Sequence, residues 1–268
     1  MSSVGPASRA IVLVGLPGTL LDHESVAALA ACVSAETGWT WRTERVGVAA
    51  HFTDEIARIA TMLCRDGASQ RIVLVGHSLG GIAALELAVR HPACLAGIVV
   101  IASNARADST IGEAKRSAQR TWAANRGIAS LARECLAADF GREADAAIVA
   151  ALGAQAERTG LAQFERQLAY AAERPGLLLP RRPVNLPVLA LAGAADAACP
   201  PTDAAAIAAL GRSGSSRFAV HDRAGHLLPM EEAGWCARQI ADFVADLPLD
   251  ARAGEAPRTR GQTCAPIA

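Results

Sequence analysis

Apolar positions along the chain follow two alternating patterns. Short unbroken runs stand at 10–14 (AIVLV), 71–75 (RIVLV), 97–101 (GIVVI), 188–191 (VLAL) and 217–220 (RFAV). Runs without a polar alternation suit strands covered on both faces, as in parallel sheets. The stretch 39–46 adds a strand whose charges place it at an edge. Between the runs the spacing turns helical. Ile56, Ile59, Ala60, Leu63 and Cys64 share one helical face, and further helices read at 25–36, 79–90 and 233–245. Strand alternating with helix predicts an α/β architecture, a doubly wound and mostly parallel sheet of six strands.

The alternation stops between about 105 and 180, where helical patterns follow one another around 111–125, 129–140, 143–155 and 161–174. This stretch reads as an all-helical insertion over the end of the sheet, within a domain spanning 9–247. Residues 248–268 hold Pro, Gly and Arg with little apolar surface and read as a disordered tail. No internal repeat is visible.

Composition narrows the class of protein. Of 268 residues 51% are hydrophobic, enough for a large core. Basic and acidic residues number 26 each, which argues against nucleic acid as a partner, since phosphate binding needs a clustered excess of Lys and Arg. Lys115 is the only lysine, and single arginines in so Arg-rich a chain carry little functional weight. Seven cysteines at 32, 64, 94, 135, 199, 236 and 264 are odd in number, widely spaced and without a C-x-x-C pair. That predicts neither a zinc site nor a disulfide framework, and a reducing compartment. The apolar run 10–16 is too short to span a membrane, and ends at Pro17-Gly18 with no lysine before it, so it also makes a poor signal-peptide core. The expectation is a cytoplasmic protein with no membrane partner.

One segment stands out chemically. Gly76-His77-Ser78-Leu79-Gly80-Gly81 lies directly between a predicted strand and a predicted helix. In G-x-S-x-G a sharp strand-to-helix turn strains the serine backbone, and glycines two residues to either side leave room for it. The turn lifts the hydroxyl clear of the sheet and aims the helix N-terminus, with the Leu79 N–H, at an oxyanion formed there. A plain helix-capping serine is the structural alternative.

A serine hydroxyl needs a base to become a nucleophile. Of six histidines, His77 points away along the turn, His91 ends a helix before Pro92, and His23 and His51 lie near the ends of early elements. His221 ends the last strand. His226, in Ala224-Gly225-His226-Leu227-Leu228-Pro229, falls in the loop after that strand, where ligands of such sheets gather, and Gly225 permits an unusual backbone angle. It is the chosen base. The histidine in turn needs a carboxylate to fix its tautomer. Asp196 follows the strand at 188–191 at the same sheet end and is the chosen acid. Asp203 and Asp222 fit neighbouring elements better, and Asp108 is the substitute. Cys199 reads as a small buried residue. A second oxyanion donor can come from Leu16-Pro17-Gly18-Thr19 after the first strand, with the Thr19 N–H the choice over an ordinary turn.

With Ser, Asp and His in that order, each after a strand, the chain resembles the α/β-hydrolase superfamily over residues 9–247, and is most similar to small bacterial single-domain hydrolases with a helical cap. The matching pieces are GHSLGG at 76–81, GAADAACPP at 193–201 and AGHLLPMEE at 224–232. The resemblance implies an acyl-enzyme on Ser78, His226 as base and then acid, Asp196 as its orienter, and oxyanion donors at Leu79 and Thr19. Two features depart from the usual pattern: Pro17-Gly18 replaces His-Gly, and the N-terminal hairpin is missing. The implied function is a cofactor-independent serine hydrolase acting on a small carboxylic ester, lactone or thioester, with no metal. A C–C bond hydrolase or perhydrolase would use the same triad, and a small-ligand receptor would keep the fold without turnover. Trp122, Phe140, Phe164 and Tyr170 in the cap are candidate pocket walls, with helix packing as their other reading.

Overall fold

The computed structural model describes residues 10–67 and 69–248. Six strands, β1 (Ile11–Leu16), β2 (Thr40–Thr43), β3 (Arg71–His77), β4 (Gly97–Ile101), β5 (Val188–Gly193) and β6 (Arg217–His221), form one sheet in the order β2-β1-β3-β4-β5-β6. Every pairing between neighbours is parallel. β2 is shorter than 39–46 and sits at the edge, paired to β1 alone. The strand order reverses between β1 and β3, and a crevice opens at such a switch point beyond the carboxyl ends of the strands.

The unbroken apolar runs are explained by what covers each face. Successive strand residues point to opposite sides of the sheet. Val12, Val14, Leu74 and Val100 pack with α2 (Phe52–Gly67), α3 (Leu79–Arg90) and α7 (Pro201–Leu210) on one side. Leu13, Val73, Val99 and Leu189 pack with α1 (Ala27–Thr37) and α8 (Ala233–Ala245) on the other. Ile56, Ile59, Ala60 and Leu63 form the buried face of α2, as their spacing requires. Cys64 leaves that face: it is exposed and joined in a disulfide to Cys94. This pair corrects the expectation that the cysteines form no disulfide. The end of α2 meets the 3-10 turn after α3, a proximity that a separation of 30 residues does not reveal.

Between β4 and β5 lie α4 (Thr110–Arg126), α5 (Ile128–Leu131), a π-helical turn (Ala132–Leu136) and α6 (Ala146–Glu173). Ser109 and Asp145 set two of the starts by accepting the N–H of Gly112 (3.1 Å) and Ile148 (2.8 Å). Gly160, with φ of 75°, breaks α6 where the sequence suggests two helices. Leu131, Leu152, Phe164 and Leu168 pack on Leu20, Leu21 and Leu227, so this segment rests on the loops following β1 and β6. Phe140, Phe164 and Tyr170 are buried in these clusters and Trp122 packs against them. None of the four lines the cavity beside Ser78, in keeping with helix packing as their role. The tail expected at 248–268 lies, from residue 249 on, outside the described residues.

Buried polar side chains tie the helical segment to the sheet. The Gln167 amide accepts the Leu20 N–H (3.0 Å) and donates to the Val46 carbonyl (2.9 Å). The loop carrying Val46 is organised around Glu55, whose carboxylate accepts the N–H groups of Gly47 (3.0 Å) and Ala49 (2.9 Å) and Nε of Arg58 (3.1 Å). Burial alone would raise the Glu55 pKa, but the Arg58 guanidinium and the backbone N–H groups hold it below the usual range. Glu55→Gln places an amide NH2 against those donors and is expected to cost on the order of 1–3 kcal/mol at neutral pH by urea denaturation. A carboxylate depressed in the folded state stabilises above its unfolded pKa, so the gap between wild type and variant should close as pH falls through the lowered folded value. A gap that widens in acid would contradict this.

Candidate active site

Three strand ends supply the residues that converge at the crevice. β3 runs directly into Ser78, whose φ of 52° and ψ of −115° place a non-glycine residue in a strained left-handed region. The turn is closed by hydrogen bonds from the Ser78 N–H to the Ile101 carbonyl (3.0 Å) and from Ser103 Oγ to the Ser78 carbonyl (2.7 Å). A Cβ at Gly76 would come within 2.3 Å of the Gly80 carbonyl oxygen, and one at Gly80 within 1.9 Å of the Leu16 carbonyl oxygen. Close approach of backbone to backbone therefore dictates both glycines. Leu79 opens α3, so its N–H is among those without an intrahelical partner.

His226 stands in the loop after β6. Its N–H donates to the Asp139 carbonyl (2.7 Å), and its own carbonyl accepts Nε2 of His77 (2.8 Å). Gly225 does not have a positive φ; it is needed because a Cβ there would lie 2.4 Å from the Asp139 carbonyl oxygen. The unusual backbone angle expected at this glycine is corrected to a close approach. Asp196, after β5, is buried. Its Oδ1 accepts the N–H groups of Ala198 and Cys199 (both 2.8 Å), and its Oδ2 contacts His226 Nδ1 at 2.8 Å. His226 Nε2 lies 3.0 Å from Ser78 Oγ. Ser78, His226 and Asp196 are thus brought into one hydrogen-bonded chain. Thr19 lines the same cavity as Ser78, and the Cβ position of the preceding Gly18 is 3.2 Å from Ser78 Cβ.

Electrostatics favour a charged carboxylate at the end of this chain. Burial works to raise the Asp196 pKa, but the hydrogen bond and charge of His226 and the two backbone N–H groups hold it below the usual carboxylate range. Burial, with His226 beside it, pushes His77 down to about 4, so His77 is neutral at physiological pH and braces the His226 loop. Burial pushes the Cys199 thiol up to about 12. Asp196, Cys199 and His226 bring donor atoms within 4.8 Å of one another. Both Asp196 oxygens and His226 Nδ1 are engaged in hydrogen bonds and Cys199 stays a thiol, a donor set poorly suited to a cation.

The other candidates are occupied elsewhere. Asp108 pairs with Arg116, Asp203 with Arg106, and Asp222 is exposed. His51 contacts Glu173, and His221 contacts Glu232 and the edge of Trp235. Sequence reasoning missed Glu231, whose carboxylate accepts the N–H of Gly225 (3.0 Å) and of Gly141 (2.9 Å), joining the His226 loop to the helical segment. Its only sequence signal is membership of the 224–232 segment.

The cavity in front of Ser78 measures about 370 Å³. Among the described residues no helix is long and apolar enough to cross a membrane.

Residues 7–239 match the Alpha/beta hydrolase family, and the chain belongs to it. A search of curated proteins found no match. Among solved structures, the chain is similar to a thermophilic esterase from Thermogutta terrifontis (TM-score 0.72, 22% identity, 89% of this chain and 90% of that one). It is similar to the enol-lactonase from Burkholderia xenovorans (TM-score 0.72, 20% identity, 90% and 94%). An esterase from Exiguobacterium antarcticum matches with a TM-score of 0.71, 14% identity and coverage of 89% and 93%. These likenesses speak to the fold.

Proposed function

We propose that this protein is a cofactor-independent serine hydrolase that cleaves a small carboxylic ester, lactone or thioester through an acyl-enzyme. The observation that carries the reading is the continuous chain Ser78 Oγ–His226 Nε2 (3.0 Å) and His226 Nδ1–Asp196 Oδ2 (2.8 Å) at the wall of a cavity of small-molecule size. Ser78 Oγ attacks the carbonyl carbon while its proton passes to His226 Nε2. The resulting oxyanion is met by the backbone N–H groups of Leu79 and Thr19. Collapse breaks the bond to the alkoxide or thiolate, which takes the proton from His226 as it leaves. A water then gives a proton to His226 and attacks the acyl carbon; the second collapse releases the carboxylic acid and returns the proton to Ser78.

Two features support the donors. Leu79 begins a helix of 12 residues whose N-terminus faces the nucleophile. The Thr19 loop is pinned by the bond from the Leu20 N–H to Gln167. Losing one such donor typically costs on the order of 10²–10³ in turnover. The helices between β4 and β5 serve as a cap: Ile111, Gln119, Leu136 and Leu168 line the cavity from that side.

Initial rates on p-nitrophenyl esters of acetate, butyrate, hexanoate and octanoate test the reading. The expected result is turnover that peaks at one chain length and is first order in enzyme. Rates equal to an equal mass of albumin for every ester, thioester and lactone tried would overturn it.

A further inference from the structure

The cavity wall is unevenly charged. Arg106, Lys115, Arg116 and Arg174 line it, against Asp139 as the one carboxylate among the described lining residues. Two of the four cations are neutralised from behind: Arg106 by Asp203 at 2.7 Å and Arg116 by both oxygens of Asp108. Lys115 is exposed, and its charge acts on Asp139, whose pKa burial raises. Among the described residues Arg174 has no carboxylate in direct contact, and the charge of Asp108 reaches it only through space. Arg174 caps the C-terminal end of α6, half-buried, with Nε donating to the Arg106 carbonyl (2.9 Å) and Nη1 to the Ala171 carbonyl (2.8 Å). Both partners are neutral, Arg174 forms no ion pair among the described residues, and its Nη2 is neither hydrogen-bonded nor buried.

We propose that the active-site cavity selects substrates that carry a carboxylate apart from the scissile bond, and that Arg174 is the residue that binds it. The proposal rests on the serine-hydrolase reading of the same site. A guanidinium fixed by two backbone carbonyls is already oriented, so little side-chain freedom remains to be lost on binding. Partial burial weakens its competition from water and strengthens a charge-assisted bond to a carboxylate. Arginine remains protonated even where burial lowers its pKa. Burial acts on Arg174 in that direction, opposed by the charge of Asp108 and reinforced by Arg116 and Arg106, and a bound anion would relieve it. A purely structural arginine that caps helix carbonyls would need neither the open Nη2 nor a place on the cavity wall.

The test compares kcat/KM for p-nitrophenyl hemiadipate with p-nitrophenyl hexanoate, and for 4-butanoyloxybenzoate with its methyl ester. The first pair puts the charge on the acyl half, the second on the leaving group. One pair should favour the anion by about tenfold to a hundredfold, the range of one charge-assisted hydrogen bond. The preference should collapse in Arg174→Gln and persist in large part in Arg174→Lys, a pattern that lost stability alone would not produce. In parallel, adipate should slow fluorophosphonate labelling of Ser78 in wild type and not in Arg174→Gln. Equal kcat/KM in both pairs, or a preference unchanged by Arg174→Gln, would overturn the proposal while leaving the hydrolase reading intact. If no ester is cleaved, the labelling arm decides: labelling indifferent to adipate overturns the anion site, and a folded protein that is not labelled overturns the hydrolase reading on which the proposal rests.

Discussion

Ser78→Ala should reduce ester turnover by a factor on the order of 10⁴–10⁶, to the level of the uncatalysed reaction plus whatever the cavity contributes by binding. The substitution removes one oxygen and leaves the turn. The backbone N–H still donates to Ile101 and the carbonyl still accepts from Ser103. Alanine inherits the φ of 52° that serine already tolerates, so the strain is common to both proteins. The lost hydroxyl is half-buried and makes its hydrogen bond to His226. The melting temperature should therefore shift little, by an amount corresponding to less than about 1 kcal/mol. Activity assays and thermal denaturation on the same preparation check both halves. A Ser78→Ala protein that keeps its fold and a tenth or more of its activity would remove the nucleophile from the account, and loss of the folded state would make Ser78 a structural residue.

Asp196→Asn should be nearly as severe, with turnover falling on the order of 10⁴-fold. The cause lies in the two faces of the carboxylate. Oδ1 is held by the N–H groups of Ala198 and Cys199, which an asparagine oxygen can still accept. That fixes the amide NH2 on the side of Oδ2, where it would donate to His226 Nδ1. The imidazole proton is then driven to Nε2, which faces Ser78 Oγ and can no longer take its proton. The depressed pKa of Asp196 adds a pH signature. A carboxylate lowered on folding stabilises above its unfolded pKa, so the stability difference between wild type and Asp196→Asn should shrink as pH falls through the lowered folded value. Steady-state kinetics at neutral pH, with Asp108→Asn as the control, checks the assignment. Near-normal activity in Asp196→Asn beside an inactive Asp108→Asn would transfer the role to the carboxylate that now pairs with Arg116.

Much of this was legible because the physical constraint acts along the chain. Strands buried on two faces need unbroken apolar runs, and β1, β3, β4 and β5 carry them; the elements at 79–90, 97–101 and 233–245 have the bounds that their patterns imply. The tight turn at Ser78 announces itself because its glycines must flank the serine at fixed spacing. That Ser78, Asp196 and His226 would meet could be read from their order because each follows a strand and all strands run the same way, so their ends share one side of the sheet.

What stayed hidden depends on contacts between distant segments. Glu231 reaches Gly141 across 90 residues, and Gln167 reaches Leu20 across 147. Neither has a local pattern to betray it. Cys64 fits the apolar face of α2 by spacing, and only the packing of α2 beside the turn after α3 brings it to Cys94. For the aromatics of the helical segment, periodicity shows which residues face inward and does not by itself distinguish a packed core from a cavity. Phe164 and Tyr170 fill the core, while the wall is made largely of loop residues, with Lys115 and several of the arginines to which composition gave little weight.

The most direct test of the central claim requires no knowledge of the substrate. Purified protein is treated with a fluorophosphonate, digested, and the adduct located by mass spectrometry. The expected result is a single adduct on Ser78 that is lost on prior heat denaturation, because only the assembled Ser78–His226–Asp196 chain activates that hydroxyl above the other serines. No adduct from protein shown to be folded, or an adduct on another residue with Ser78 unmodified, would contradict the account.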